Sequence, residues 1–369
     1  MKEYELAVTS PILWPTGPSL VSRLGRLVPV VSFVAAVTLA GAVAGASSGA
    51  QERTSASDSI YWGAYINGSE TYRYLYGLRL GNAPWDATTW SRFESNAGKR
   101  VSIVHWGLGT PWRNDFDSWW STFELVRARG DLSLVDMTTG SVPLRQIADG
   151  RYDAELRKWM RGAAFYAHPF FLNLDVEMNG NWEPYSAGKH GNTPADFVRM
   201  WRHVHDIAVE SGATNVTWVW APNVDPRGKF TPYWRLYPGA GYVDWTGLDG
   251  FNANGKSSFA WLFGSSYRKL LRLAPTKPMV ITQTGAVQQG GKARWIVDML
   301  TNQLPRHFPQ IKALVWFNWR ILERRTWMSY EIESSASSQA AFANAIASSY
   351  YSPGGSYGTL PLHSKISPP

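Results

Sequence analysis

From Ile60 to Tyr350 the chain alternates short β-branched and aromatic runs with segments of helical periodicity, and this alternation limits the fold more than any other feature. Strands are predicted over 60–66, 100–106, 132–137, 170–177, 216–221, 243–251, 279–284 and 313–318. Helices are predicted near 89–97, 116–128, 152–166, 193–211, 257–273, 292–304 and 337–350. The one from Thr193 to Ser211 carries Phe197, Met200, Trp201, Val204 and Ile207 at helical spacing. Strands separated by helices imply an α/β chain with a parallel sheet. Eight such units in about three hundred residues imply a closed (β/α)8 TIM barrel. The runner-up, an open doubly wound sheet, would want a Gly-rich phosphate turn after the first strand, which Trp62-Gly63-Ala64 does not supply.

Around this single domain, spanning 51–350, the ends read differently. Arg23 and Arg26 precede an apolar stretch from Leu27 to Ala46, followed by small residues to Ala50. That is the layout of an export signal, so residues 1–50 are expected to be a signal peptide and the protein secreted or at the cell surface. The run is also long enough to span a bilayer, which keeps an uncleaved membrane anchor as the competing reading. Residues 351–369 are rich in Pro, Gly and Ser and are expected to form a flexible tail.

Composition narrows the chemistry. The chain has no cysteine, which excludes disulfides and thiolate metal sites. His105, His168, His190, His203 and His205 are scattered, and the last two face different ways on one helix, so neither a metal nor another cofactor is expected. No serine sits in a nucleophile elbow. The net charge of +8 could favour anionic surfaces, but no Lys/Arg run or basic helix face stands out, and nucleic acid is not an expected partner. The 20 tryptophans are the unusual feature. Indoles serve either a dense core or the flat apolar faces of sugars.

The stretch from Phe170 to Trp182 joins these threads. An apolar run with alternating polar residues leads into an Asn/Gly turn carrying Glu177 and Trp182, which reads as a strand ending in a loop. On such a strand Asn173, Asp175 and Glu177 would share one face. In a barrel, chemistry sits at the C-terminal strand ends. Those ends hold Tyr65, His105 with Trp106, Asp136, Glu177, Trp220 with Asn223 and Asp225, Asp249 with Asn252, Gln283, and Trp316 with Asn318 and Trp319. Carboxylates, amides and indoles on one rim suit a carbohydrate partner. Glu177 is the candidate general acid; Tyr65, His105, Asn179 and Asn252 are candidate sugar hydrogen-bonders; Trp106, Trp182, Trp220 and Trp316 are candidate stacking platforms. Each tryptophan also reads as rim packing.

Several motifs together resemble glycoside hydrolase family 26, barrel enzymes that include β-mannanases, β-1,3-xylanases and mixed-linkage glucanases. They are Glu177-Met178-Asn179-Gly180-Asn181-Trp182, Tyr237-Pro238-Gly239, Val243-Asp244-Trp245, and Gly247-Leu248-Asp249-Gly250-Phe251-Asn252. Further along stand Lys277-Pro278, Thr282-Gln283-Thr284-Gly285 and Trp316-Phe317-Asn318. The resemblance covers roughly Tyr61 to Ala345. It implies a monomeric hydrolase of β-linked polysaccharide, endo-β-mannanase-like, with Glu177 as acid/base and a glutamate nucleophile at position 283. Here that position is Gln283, the His usual before the acid/base is Val176, and an Arg usual on the same strand is Asn173.

Glutamine fills a glutamate's space without its charge. A retaining glycosidase needs two carboxylates about 5 Å apart, one to attack and one to protonate the leaving oxygen. The ionised partner also raises the other's pKa, so its loss weakens the acid as well. Three readings follow. In the first, a glycanase uses Asp175, Asp225 or Asp249 in place of the missing group. In the second, a non-catalytic pseudoenzyme binds glycan. In the third, a cell-surface interaction protein carries a vestigial cleft.

Overall fold

The computed structural model describes residues 59–66, 87–289, 291–323 and 325–369. The expected leader over 1–50, with its Leu27–Ala46 run, lies outside them. Among the described residues no helix is long and apolar enough to cross a membrane.

Eight parallel strands form the barrel: β1 (Ile60–Ile66), β2 (Ile103–Gly109), β3 (Leu132–Met137), β4 (Phe170–Leu174), β5 (Val216–Trp220), β6 (Trp245–Asn252), β7 (Met279–Ala286) and β8 (Ile311–Asn318). They pair in sequence order, and β1 pairs with β8 from Tyr61↔Ala313 to Ile66↔Asn318. That last ladder closes the ring and excludes the open doubly wound sheet. Helices α1 (Ala87–Ala97), α2 (Trp120–Ala128), α3 (Leu144–Ala148), α4 (Asp153–Tyr166), α5 (Pro194–Glu210) and α6 (Phe259–Leu273) lie along the chain between successive strands. Between β7 and β8, α7 (Lys292–Val297) runs through a π-helical turn at Asp298–Gln303 into α8 (Leu304–His307). After the barrel come a hairpin of β9 (Arg320–Glu323) and β10 (Thr326–Ser329), helix α9 (Ala336–Ile346) and a short β11 (Tyr351–Ser352). Helix α5 starts where its sequence says it should: Thr193 and Asp196 form a reciprocal capping box, with Pro194 at the first position.

Strand alternation sorts side chains to two sides of the barrel wall. Tyr61, Ile103, Leu134, Phe171, Val219, Trp245, Val280 and Val315 belong to the inner cluster. The neighbouring positions Trp62, Val104, Trp106, Leu172, Trp218, Trp220 and Trp316 pack with helix residues such as Trp90, Phe93, Trp159, Phe197 and Trp201. Much of the tryptophan excess therefore fills the layer between strands and helices. At about 25 cal/mol per Å² of apolar surface, each such indole contributes several kcal/mol before entropy is counted.

The C-terminal segment departs from the flexible tail expected over 351–369. Tyr351 and Ser352 add to the barrel beside Ile60 and Tyr61 of β1. Beyond them Ile366 is 3% exposed and joins the inner cluster. Its N–H donates to Thr217 Oγ1 at 2.8 Å, and its carbonyl accepts from Trp245 Nε1 at 2.9 Å. Tyr61 OH donates to Ser367 O at 2.9 Å, and Lys365 Nζ pairs with Asp244 at 2.8 Å. Tyr61, Thr217 and Trp245 lie at the N-terminal ends of β1, β5 and β6, so the segment covers the barrel end opposite the C-terminal ends of the strands. Pro, Gly and Ser composition argues for disorder only where no apolar residue finds a pocket, and Ile366 finds one.

Candidate active site

Strand β4 ends at Leu174, three residues short of the predicted Glu177. Asp175 (φ 51°) and Glu177 (φ 58°) both take left-handed backbone, which breaks the alternation that would have put Asn173, Asp175 and Glu177 on one face. The chain instead folds into a tight turn, whose Glu177 N–H donates to Ala221 O of the next strand end at 2.9 Å. This turn aims the carboxylate. Trp182 Nε1 donates to Glu177 Oε2 at 2.7 Å, and Asn223 Nδ2 donates to Oε1 at 2.6 Å. Gly180 makes the first bond possible, because a Cβ there would lie 2.5 Å from the Trp182 ring. Trp182 is half-buried, with Phe230 edge-on at 5.1 Å.

A second cluster spans the barrel mouth. Asp136, at the end of β3, accepts from Asn173 Nδ2 of β4 at 2.8 Å and from Gln283 Nε2 of β7 at 3.4 Å. His105 of β2 is fully buried and places Nε2 2.9 Å from the same carboxylate, at an angle that leaves it without a hydrogen bond. Asp249 pairs in register with Gln283 on the neighbouring strand and accepts from Thr282 Oγ1. Burial pushes the Asp249 carboxyl far up, and the charges of Glu177 and Asp136 add to the effect. Glu183, a residue the sequence reading passed over, is pushed up to about 7 by burial and then by Glu177, Asp175 and Asp136. The two clusters therefore form one acidic centre. Among the described residues no group of three or more His, Cys, Asp or Glu has the arrangement to hold a metal ion.

Several assignments change. Trp106, Trp220 and Trp316 are each 0% exposed and pack on the outer side of the barrel wall, so none offers an indole face to a sugar. Alternation carried the signal: with His105, Val219 and Phe317 inward, their neighbours must point out. Besides Trp182, Trp319 presents aromatic surface at this rim, half-buried and stacked on Tyr65 at 5.6 Å and on Phe317 at 5.7 Å. Tyr65 is itself largely buried in that stack and meets His105 edge-on at 4.8 Å. Asn179 does not face a ligand, because its side-chain oxygen accepts from Asn223 N–H and its Nδ2 donates to Asn223 O. It latches the β4 loop to the β5 loop and so holds Asn223 against Glu177. Asn252 is buried, its oxygen accepting from Ser257 N–H.

The carboxylates considered as substitutes are occupied too. Asp175 is 0% exposed and accepts from Thr139 N–H and Oγ1, and burial raises it to about 7. Asp225 accepts from the N–H groups of Lys229 and Phe230 and organises its own loop. A cavity of about 410 Å³ lies on the outer side of that loop, lined by Phe230, Tyr233, Trp234, Lys269 and Arg272. It adjoins the acidic centre through Phe230, which touches Trp182, and through Tyr233, whose OH donates to Asn223 O at 2.8 Å.

Comparison with known proteins shows what the chain is similar to. Residues 151–296 match the sequence model of Glycosyl hydrolase family 26. Endoglucanase H of Acetivibrio thermocellus is 30% identical over 289 residues, covering 74% of this chain and 31% of that protein. A mannan endo-1,4-beta-mannosidase of Bacillus subtilis is 24% identical over 192 residues, covering 50% and 47%. The chain thus spans less than half the length of these curated relatives. The catalytic domain of an endo-beta-1,4-mannanase of family 26 from Bacillus sp. JAMB-750 superposes with a TM-score of 0.61 at 18% identity, covering 84% of this chain and 91% of that one. The stretch that matches the family 26 model includes the four strands whose ends carry Glu177, Asn223, Asp249 and Gln283, and the barrel has the fold of a family 26 mannanase.

Proposed function

We propose that the chain as a whole is a glycoside hydrolase of family 26 type that acts on β-linked polysaccharide, β-mannan or a related β-glycan, with Glu177 donating the proton to the leaving oxygen. The observation that carries this reading is the aim of Glu177, fixed by the Trp182 and Asn223 donors at 2.7 and 2.6 Å beside the Asp136–Gln283 pair. An acid so oriented, with a half-buried indole alongside, meets what a glycosidic oxygen requires. The names of the relatives, an endoglucanase and an endo-1,4-beta-mannosidase, support a polymeric substrate. Gln283 stands where the family resemblance expects a nucleophile, and a neutral amide cannot form the covalent intermediate of a retaining route. The Leu27–Ala46 run supports export to the cell exterior.

The same glutamine favours a second reading, a pseudoenzyme that binds glycan without cutting it. One experiment separates them: release of reducing ends from β-mannan, mixed-linkage β-glucan and β-1,3-xylan by wild type, Glu177→Ala and Gln283→Glu. Cleavage by wild type that drops by about 10²–10⁴-fold in Glu177→Ala supports the enzyme. Binding without cleavage, with activity appearing only in Gln283→Glu, supports the pseudoenzyme.

A further inference from the structure

We propose that Asp136 supplies the base that position 283 lacks, and that cleavage proceeds with inversion at the anomeric carbon. The inference rests on the hydrolase reading above and goes beyond it by assigning the second catalytic residue and the stereochemical course.

Elimination points to Asp136 first. Asp175 and Asp249 are each 0% exposed, and both oxygens of Asp225 are held by backbone N–H groups. Glu183 lies on the loop that carries Glu177, six positions further along the chain. The Asp136 side chain is 18% exposed and is the carboxylate in hydrogen-bond contact with Gln283.

The contacts then fit the role. β3 and β7 are four strands apart in an eight-strand ring, so the bond from Gln283 Nε2 to Asp136 Oδ2 crosses the barrel mouth. Asn173, in register with Asp136 on the adjoining strand, holds Oδ1 from the side. A carboxylate accepts at several lone pairs, so two amide donors, with His105 Nε2 2.9 Å from Oδ2, still leave capacity for a water. Because the carboxylate only accepts, Gln283 must turn its NH2 towards Asp136, which leaves its carbonyl oxygen as an acceptor. That oxygen is a second acceptor for a water lodged beside Asp136. Position 283 would thereby change from attacking sugar to orienting water.

The step balances without a covalent intermediate. Water attacks the anomeric carbon and gives a proton to Asp136. The glycosidic C–O bond breaks as Glu177 passes its proton to the leaving oxygen. Asp136 then loses its proton to solvent and Glu177 regains one, so one water is consumed per bond cut. An inverting pair stands about 6.5–9.5 Å apart, which leaves room for that water, whereas a retaining pair stands about 5 Å apart.

The test is proton NMR of the anomer first released by wild type from mixed-linkage β-glucan or β-mannan, beside turnover of Asp136→Asn and Asp136→Ala. Inversion predicts the α anomer first, a loss of about 10²–10⁴-fold in Asp136→Asn, and partial rescue of Asp136→Ala by azide with an α-glycosyl azide as product. Retained glycan binding by the variants shows that the fold survives. Release of the β anomer first, or Asp136→Asn within a few-fold of wild type, overturns the assignment to Asp136 while leaving the hydrolase reading intact. Wild type that cleaves none of the glycans overturns both.

Discussion

Trp182 donates its indole N–H to Glu177 Oε2 across 2.7 Å, and the two residues stand only five positions apart in a turn whose backbone is left-handed at the glutamate. The indole thus fixes the direction of the carboxyl. Trp182→Phe keeps an aromatic ring and removes the donor. A hydrogen bond to a charged group contributes about 1.5–3 kcal/mol, so kcat/KM on a β-glycan is expected to fall by about 10–100-fold. Steady-state kinetics beside a melting curve check this, and an unchanged kcat/KM would remove the indole from the machinery.

The left-handed backbone at Glu177 has its own cost, near 1 kcal/mol for a residue with a Cβ. Glu177→Gly and Glu177→Ala should both lack turnover, yet the glycine variant should be the more stable by about 1 kcal/mol. Urea unfolding of the pair measures the difference. Equal stabilities would mean that the turn stores no strain.

Asp175 links stability to pH. Burial raises its carboxyl from 3.8 to about 7, so the folded state binds a proton more tightly than the unfolded chain. The resulting stability is complete below about 3.8 and is lost as pH rises through about 7. Asp175→Asn keeps an acceptor for the Thr139 N–H and never ionises. Its melting midpoint should therefore fall less than that of wild type between pH 4 and pH 8 (roughly the window set by those two values). Parallel slopes in thermal melts across this range would contradict the assignment.

At the opposite end of the barrel, Ile366→Ala opens a gap in the inner cluster beneath Tyr61 and Trp245. The expected loss is about 2–4 kcal/mol, read as a lower urea midpoint with an unchanged slope. A loss below about 0.5 kcal/mol, the scale of an ordinary surface change, would show that the segment only rests on the barrel.

Much of this molecule was written in local patterning. The closed ring of eight strands followed from strand and helix periods, and Glu177 reads as the C-terminal tip of the fourth strand, which in the structure ends three residues earlier at Leu174. These features depend on residues within a few positions of one another, where burial on one face imposes a period. The alternation also held what was needed to send Trp106, Trp220 and Trp316 outward, once His105 and Phe317 were taken as inward. Other relationships had no local trace. The left-handed turn that removed Asp175 from the cleft depends on Ala221 and Thr139, which other strand ends deliver. Ile366 is an apolar residue in a Pro/Ser-rich segment until the barrel floor receives it. The contact between Gln283 and Asp136, 147 residues apart, exists only because closure sets β7 across from β3. Sequence decided which residues stand at the ends of strands. Closure of the ring decided which of them meet, because distance across a barrel is fixed by strand number and tilt, not by separation along the chain.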